Sequence, residues 1–288
     1  MLVVHDPVCA EYGSSHYFEQ PARILNTVPH LQATHSGWRW QKPKAASDEA
    51  CLRAHSADHL DRLTHGPDFD DDTPYYPGID QHARRAAGAA IRAAEAARAG
   101  EPAFALMRPP GHHATRDHAK GFCYLNTVAI AALHAQAQGA KRVAVWDFDA
   151  HHGNGTEAIL QGRSGFLCCS VHQSPGYPGT GTRNAGNCHN WPVAPRTPRA
   201  DHLQALRESL DTVIAFKPDL VLVSAGFDAF ARDPITLMSL EVNDFSTLGE
   251  WLRGSGLPAA GVLEGGYSPE LPKLVEAFLA TWAGETAS

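Results

Sequence analysis

The chain has 288 residues, 43% hydrophobic and 19% charged, with a formal net charge of −7 and a pI near 6.2. That is ample apolar material for a core, which excludes a disordered chain, and the negative balance excludes a general affinity for nucleic acid or an anionic membrane. No stretch reaches the apolar length of a bilayer span.

In chain order, residues 2–4 read as a strand, and 21–33 and 48–64 as helical. Residues 66–79 are loop chemistry: an acidic run, Asp68 to Asp72, leads into Thr-Pro-Tyr-Tyr-Pro-Gly78, where two prolines and a glycine block regular pairing. An alanine- and arginine-rich helix over 80–99 closes at Gly100. A short strand at 104–106, a loop at 107–122, a helix at 123–138 closed by Gly139 and a strand at 142–148 come next. A short helix at 156–161 and a strand at 166–171 precede a long irregular segment, 172–198, rich in Gly, Pro, Asn and Thr. The remainder reads as helix 200–216, strand 219–224, helix 243–254, strand 259–263 and helix 269–283. Such alternation indicates one α/β domain with a mainly parallel sheet. The runs Val143–Trp146, Leu220–Val223 and Ala260–Leu263 are continuously apolar, as strands covered on both faces are. The three long loops are read as site-forming.

The six cysteines (Cys9, Cys51, Cys123, Cys168, Cys169, Cys188) contain no CxxC pair, and Met1-Leu-Val-Val is followed at once by His5-Asp6 rather than by an apolar leader. A reducing, cytoplasmic setting is expected. Seventeen histidines are many, and His5, His16, His30, His35, His55, His59 and His65 read as surface or local packing residues.

Four segments end predicted strands in polar clusters: Arg108-Pro-Pro-Gly-His-His-Ala114, Val143-Ala-Val-Trp-Asp-Phe-Asp-Ala-His-His-Gly-Asn-Gly155, Val221-Leu-Val-Ser-Ala-Gly-Phe-Asp-Ala229 and Val262-Leu-Glu-Gly-Gly-Tyr267. Strand C-termini of a parallel sheet open onto one edge, so all four can converge there. Residues two apart on a strand share a side, so Asp147, Asp149 and His151 project together if that strand stays extended. Asp149, His151 and Asp228 would make a Zn2+ site of two carboxylates and one imidazole, with positions left open for water and substrate. Of the consecutive His112 and His113, one can deprotonate the water and the other protonate a leaving amine, roles worth roughly 10²–10⁴-fold. Asp147 and Asn154 are candidate acceptors for their second ring nitrogens. Tyr267 can donate its hydroxyl to an oxygen that gains negative charge. Alone, a His-His pair is unremarkable and Phe227-Asp228 can simply cap a helix; together the four segments define a site.

With these motifs, over about residues 2 to 283, the chain resembles the zinc-dependent histone deacetylases, and His-His-Gly-Asn-Gly resembles their class II pattern. The resemblance implies the arginase–deacetylase fold: one domain over residues 1–288, three α/β/α layers and a mainly parallel sheet of about eight strands. It implies hydrolysis of N-ε-acetyl-lysine in proteins or peptides, or of a related acylated small amine such as an acetylpolyamine. One zinc on Asp149, His151 and Asp228, catalytic His112, His113 and Tyr267, and the pairs His112–Asp147 and His113–Asn154 carry over residue by residue. A structural potassium would be held at Asp147, Asp149, His151, Ser170 and Val171, mostly through backbone oxygens. Gly121, Phe122 and Tyr177 (in Gly176-Tyr-Pro-Gly-Thr-Gly181) match the tunnel that grips the acyl-lysine stem. Asp72 matches a rim aspartate, although Asp70-Asp-Asp72 leaves the register open and a solvated acidic loop is the alternative. Arg23, in Gln20-Pro-Ala-Arg-Ile24, matches an arginine beside the acetate-release channel, or is an ordinary surface arginine at a helix start. Two departures stand out: Lys120 makes the tunnel mouth more polar, and Ile235, in Arg232-Asp-Pro-Ile-Thr236, occupies a rim position that is acidic in polyamine-selective relatives, which weighs against acetylpolyamines. Oligomeric state is not encoded in these motifs.

Two rivals are separable. A two-manganese ureohydrolase would want a carboxylate where Gly153 stands and another where Phe230 stands. A non-catalytic acyl-lysine binder would be expected to have lost a catalytic residue, and none is lost here.

Overall fold

The apolar runs of the sequence become the centre of one eight-stranded parallel sheet in the computed structural model, which describes residues 1–286; the last two positions of the expected 1–288 domain lie outside the described residues. The strands are β1 (Leu2–Val4), β2 (Arg39–Gln41), β3 (Ala103–Ala105), β4 (Val143–Asp147), β5 (Phe166–Gln173), β6 (Cys188–Val193), β7 (Leu220–Ala225) and β8 (Ala259–Leu263). Their order across the sheet is β2-β1-β3-β8-β7-β4-β5-β6, every neighbouring pair parallel. The four strands that carry the polar clusters, β3, β8, β7 and β4, are therefore consecutive and central, and the clusters open side by side on the carboxyl edge.

Every residue of β3, β4, β7 and β8 is buried, because helices cover both faces. On one face lie α4 (Ile79–Arg98) and α5 (Thr127–Ala137), which pack on each other and on the sheet. Alanines on α4 permit that approach. An aromatic layer fills the other face. Trp146 donates its indole N–H to Ser209 of α7 (Arg199–Phe216) at 2.9 Å. Phe227 stacks near Phe245 of α8 (Val242–Gly254), and Phe148 against Phe278 of α9 (Leu271–Ala283). The remaining helices are α1 (Ala22–Thr34), α2 (Asp48–Leu52), α3 (Ala57–Arg62) and α6 (Asn154–Leu160). Among the described residues no helix is long and apolar enough to cross a membrane, and all six cysteines are buried free thiols.

Four expectations are corrected. The helical stretch 48–64 is two helices, because Ser47 and Ser56 each accept a backbone N–H and start their own turn. The break between them turns His55 inward as a packing residue, and its Nε2 accepts the Asn126 N–H at 2.9 Å. The helix expected from residue 123 begins at Thr127, where the Asn126 side chain accepts the Ala129 N–H at 2.8 Å. Strand β2 was not expected, and neither was β6, inside the segment 172–198 read as irregular. Both are edge strands, and Pro192 is tolerated in β6 for that reason.

Candidate active site

Strand β4 ends at Asp147, so strand alternation does not carry Asp149 and His151 to the site as expected; a hydrogen-bonded turn does. Asp147 accepts the Asp149 N–H at 3.1 Å, Asp149 the His151 N–H at 2.8 Å, and Asp228, in the loop after β7, the Ala150 N–H at 2.8 Å. The turn brings Asp149, His151 and Asp228 together, with one potential ligand atom of each within 4.8 Å of the others. His151 Nδ1 lies 2.9 Å from Asp228 Oδ2 and 3.1 Å from Asp149 Oδ1. Asp147 is not in this group; it faces His112.

Two fully buried carboxylates at one point demand a cation. Burial opposes a charge on His151, but Asp228 and Asp149 outweigh it and drive the imidazole pKa well above its usual value. Burial raises the pKa of Asp228, whereas for Asp149 burial is outweighed by His112 and His151 and its pKa falls. Two oxygens and one nitrogen in this arrangement fit a divalent ion of the zinc type, which would take the cation's place with His151 neutral. Gly265 closes the other side: its N–H donates to Asp149 Oδ2 at 2.7 Å, and a Cβ there would fall 2.3 Å from Asp228 Oδ2.

The loop after β3 brings the tandem histidines in beside this group. Their ring centroids are 4.0 Å apart. His112 Nδ1 donates to Asp147 Oδ2 at 3.0 Å, and His113 Nδ1 to Asn154 Oδ1, on the first residue of α6, at 2.8 Å. Each ring therefore presents Nε2 away from its acceptor. The two acceptors differ in charge, and the rings differ accordingly. Burial disfavours the His112 cation, but Asp149, Asp147 and Glu264 together outweigh it and push its pKa up to about 10. Burial, aided by His112 and His151, holds His113 well below its usual value.

A cavity of about 250 Å3 leads to this point, lined by Phe18, Asp72, His113, Gly121, Phe122, His151, Tyr177, Ile235 and Tyr267. His112 is behind its wall. Gly121 has φ +56°, and a Cβ there would meet His113 Cδ2 at 2.7 Å and the Tyr177 hydroxyl at 2.9 Å, so a side chain would close the passage. In the acidic loop Asp70 accepts the Asp72 and Gly121 N–H groups, and Asp72 lines the cavity. Lys120, which precedes Gly121, holds its ammonium 5.3 Å from the Tyr177 ring centre.

Tyr267 has three supports. Its N–H donates to Asp233 Oδ2 at 2.8 Å, its ring contacts Phe18 and Phe122, and the Arg23 guanidinium lies 4.8 Å above it. Arg23 is buried, which removes the surface-arginine alternative: it donates to the carbonyls of Gly266 at 2.8 Å and Glu264, and pairs with Glu19. It also borders a second cavity of about 130 Å3 that shares Phe18 and Tyr267 with the first. Ser170 and Val171 lie on β5, and Ser170 is the register partner of Asp147.

Some residues at the site carried no role in the sequence reading. Phe18 had no motif around it. Asp233 and Glu264 were seen only as motif letters, yet they hold the backbones of Tyr267 and of the histidine loop. A buried acid directly after an apolar strand was the available signal for Glu264.

The sequence profile of the histone deacetylase domain matches residues 17–282. The chain is 40% identical, over 92% of its length and 75% of the relative's, to a histone deacetylase-like amidohydrolase of Pseudomonas aeruginosa. It is 35% identical, over 94% of its length and 86% of the relative's, to a probable deacetylase of Methanothermobacter thermautotrophicus. The crystal structure of an acetylpolyamine aminohydrolase from Burkholderia pseudomallei superposes with a TM-score of 0.91 at 28% identity, covering 98% of each chain. With its motifs placed on that fold and the domain profile spanning nearly its whole length, the chain belongs to the histone deacetylase family.

Proposed function

We propose that the protein is a zinc-dependent amidohydrolase that removes acyl groups, acetyl foremost, from the ε-amine of lysine in proteins or peptides, or from related acylated amines. One observation carries the reading: His113, His151 and Tyr267 meet in a single cavity walled by Phe122 and Tyr177. A slot of that kind suits a lysine stem, whose methylenes bury well while its amide reaches polar groups.

Zinc on Asp149, His151 and Asp228 would supply Lewis-acid polarisation of the amide carbonyl and acidify a water. The protein's own groups do the rest. His113, neutral and facing the cavity, takes the proton of the attacking water on Nε2 and hands it to the departing amine. Asn154 fixes its tautomer. His112, deeper and held by Asp147, stands beside the Asp149–His151–Asp228 group, where its second ring nitrogen supports the oxygen that gains charge. The Tyr267 hydroxyl donates to that oxyanion. Arg23, beside the second cavity, marks the exit of the carboxylate product. A structural potassium at Asp147, Asp149, His151, Ser170 and Val171 belongs to the same reading, supported by the pairing of Asp147 with Ser170 and the adjoining turn. Buried free thiols support a reducing, cytoplasmic setting.

The test is a panel of acyl-lysine peptides and acetylpolyamines with zinc-loaded, chelated and zinc-restored protein. Turnover that vanishes on chelation, returns with zinc and is blocked by a hydroxamate supports the proposal; a zinc-loaded protein that leaves every substrate intact makes it a binder instead. The rim bears on substrate. Ile235 gives no counter-charge to a polyamine's free ammonium and the nearby Lys120 opposes one, which leaves Asp72 as the carboxylate of that cavity. Ile235→Glu is expected to raise kcat/KM for an acetylpolyamine relative to an acetyl-lysine peptide by up to about fivefold, the scale of one exposed ion pair. An unchanged ratio would show that position 235 does not face the distal amine.

A further inference from the structure

Glu264 follows the last residue of β8 and is fully buried. Its Oε2 accepts two backbone N–H groups of the loop after β3, Gly111 at 2.7 Å and His112 at 3.1 Å. Its own N–H donates to Ala225 of β7 at 2.9 Å, and its carbonyl accepts from Arg23. On its far side the loop has no slack, since a Cβ on Gly111 would lie 2.5 Å from the Thr127 nitrogen at the start of α5. The loop is thus held between the Glu264 carboxylate and the end of a helix. His112 is fixed at both ends by acids, its backbone by Glu264 and its ring by Asp147. The other oxygen, Oε1, has no hydrogen-bond partner among the described residues and is shielded from solvent. A buried acid with one idle oxygen is costly, and an apolar side chain of equal size would suit the packing better. An acid here is explained by the pair of bonds made by Oε2, alongside the charge it sets near His112.

We propose that Glu264 is a positioning residue for the deacylation: it sets the height of the tandem histidines over the Asp149–His151–Asp228 group by clamping the Gly111 and His112 amides. The inference rests on the amidohydrolase reading of the site. The His112 Nε2 to Asp149 Oδ1 separation of 3.8 Å is the distance the clamp controls. Displacements of about 1 Å at such a point cost on the order of 10²-fold in rate.

Glu264→Gln keeps a carbonyl oxygen able to accept both N–H groups, whereas Glu264→Met keeps the volume and removes the acceptor. Gln is expected to stay within about fivefold of wild-type kcat, and Met to lose roughly 10- to 100-fold in kcat with KM and bound zinc unchanged. A filler role would leave Met as active as wild type, and that result overturns the proposal; so does an equal loss in both variants. Should Met fail to fold, amide hydrogen exchange on the unmutated protein decides: slow exchange at Gly111 and His112 supports the clamp, and exchange at free-loop rates rejects it. If wild type itself turns over no acyl-amine, the functional reading fails, and hydrogen exchange still tests the clamp separately.

Discussion

Asp228→Ala is expected to abolish stoichiometric metal binding and to lower turnover by more than about 10³-fold. The several kcal/mol of charge stabilisation that a bound cation gives an acyl-transfer transition state would go with it, at about 1.4 kcal/mol per tenfold. Asp228 is fully buried and does two things at once: Oδ2 faces His151 Nδ1 at 2.9 Å, and Oδ1 accepts the Ala150 N–H at 2.8 Å. Alanine removes a proposed ligand and also a prop of the turn that presents Asp149 and His151. Asp228→Asn separates the two effects, because its carbonyl oxygen can still hold Ala150 while the ligand charge is gone. Asn should therefore stay closer to wild type than Ala in thermal stability and resemble Ala in metal content. Elemental analysis of the purified variants alongside steady-state rates checks both points. Full metal occupancy in Asp228→Ala would mean that the ion binds elsewhere.

What the sequence disclosed about this site follows from how each residue is specified. The central strands were legible because both faces are covered, so they are apolar throughout, and each ends abruptly in polar residues. Ligand chemistry singled out the candidate metal group and the tandem histidines, which the fold brings side by side. The edge strands were not legible: β2 is three residues long and largely exposed, and β6 contains a proline. Their pairing is decided by the neighbouring strand rather than by their own pattern. The turn after Asp147 was not legible because alternation holds only while a strand lasts, and β4 stops at Asp147. Glu264 and Asp233 were missed for a different reason. Their partners are backbone amides, and Gly111 is 153 residues away from Glu264. A backbone N–H leaves no trace in the letter that carries it, so such clamps appear only once the chain is folded. The same holds for His55, whose partner is the Asn126 amide.

Tyr267→Phe is the sharper test of chemistry, because it removes one oxygen and little else. The ring contacts with Phe18, Phe122 and the Arg23 guanidinium, and the backbone bond to Asp233, all survive the change. Metal content and fold should be those of wild type, and KM should move by no more than about twofold, since the hydroxyl is needed mainly where the oxygen carries charge. The expected loss is in kcat, about 10²–10³-fold, or about 2.7–4 kcal/mol, the usual cost of one oxyanion donor. The pH profile separates a donor from a base. Burial pushes the Tyr267 hydroxyl well above 10, outweighing the opposing pull of Arg23. A phenol with a raised pKa keeps its proton below that value, so the tyrosine stays a donor through the neutral and mildly alkaline range and contributes no alkaline limb there. A Tyr267→Phe enzyme should then show wild-type profile shape at a uniformly lower rate. Wild-type turnover, or a profile whose limbs move with the substitution, would take the hydroxyl out of the oxyanion role and leave that charge to His112 and the metal site.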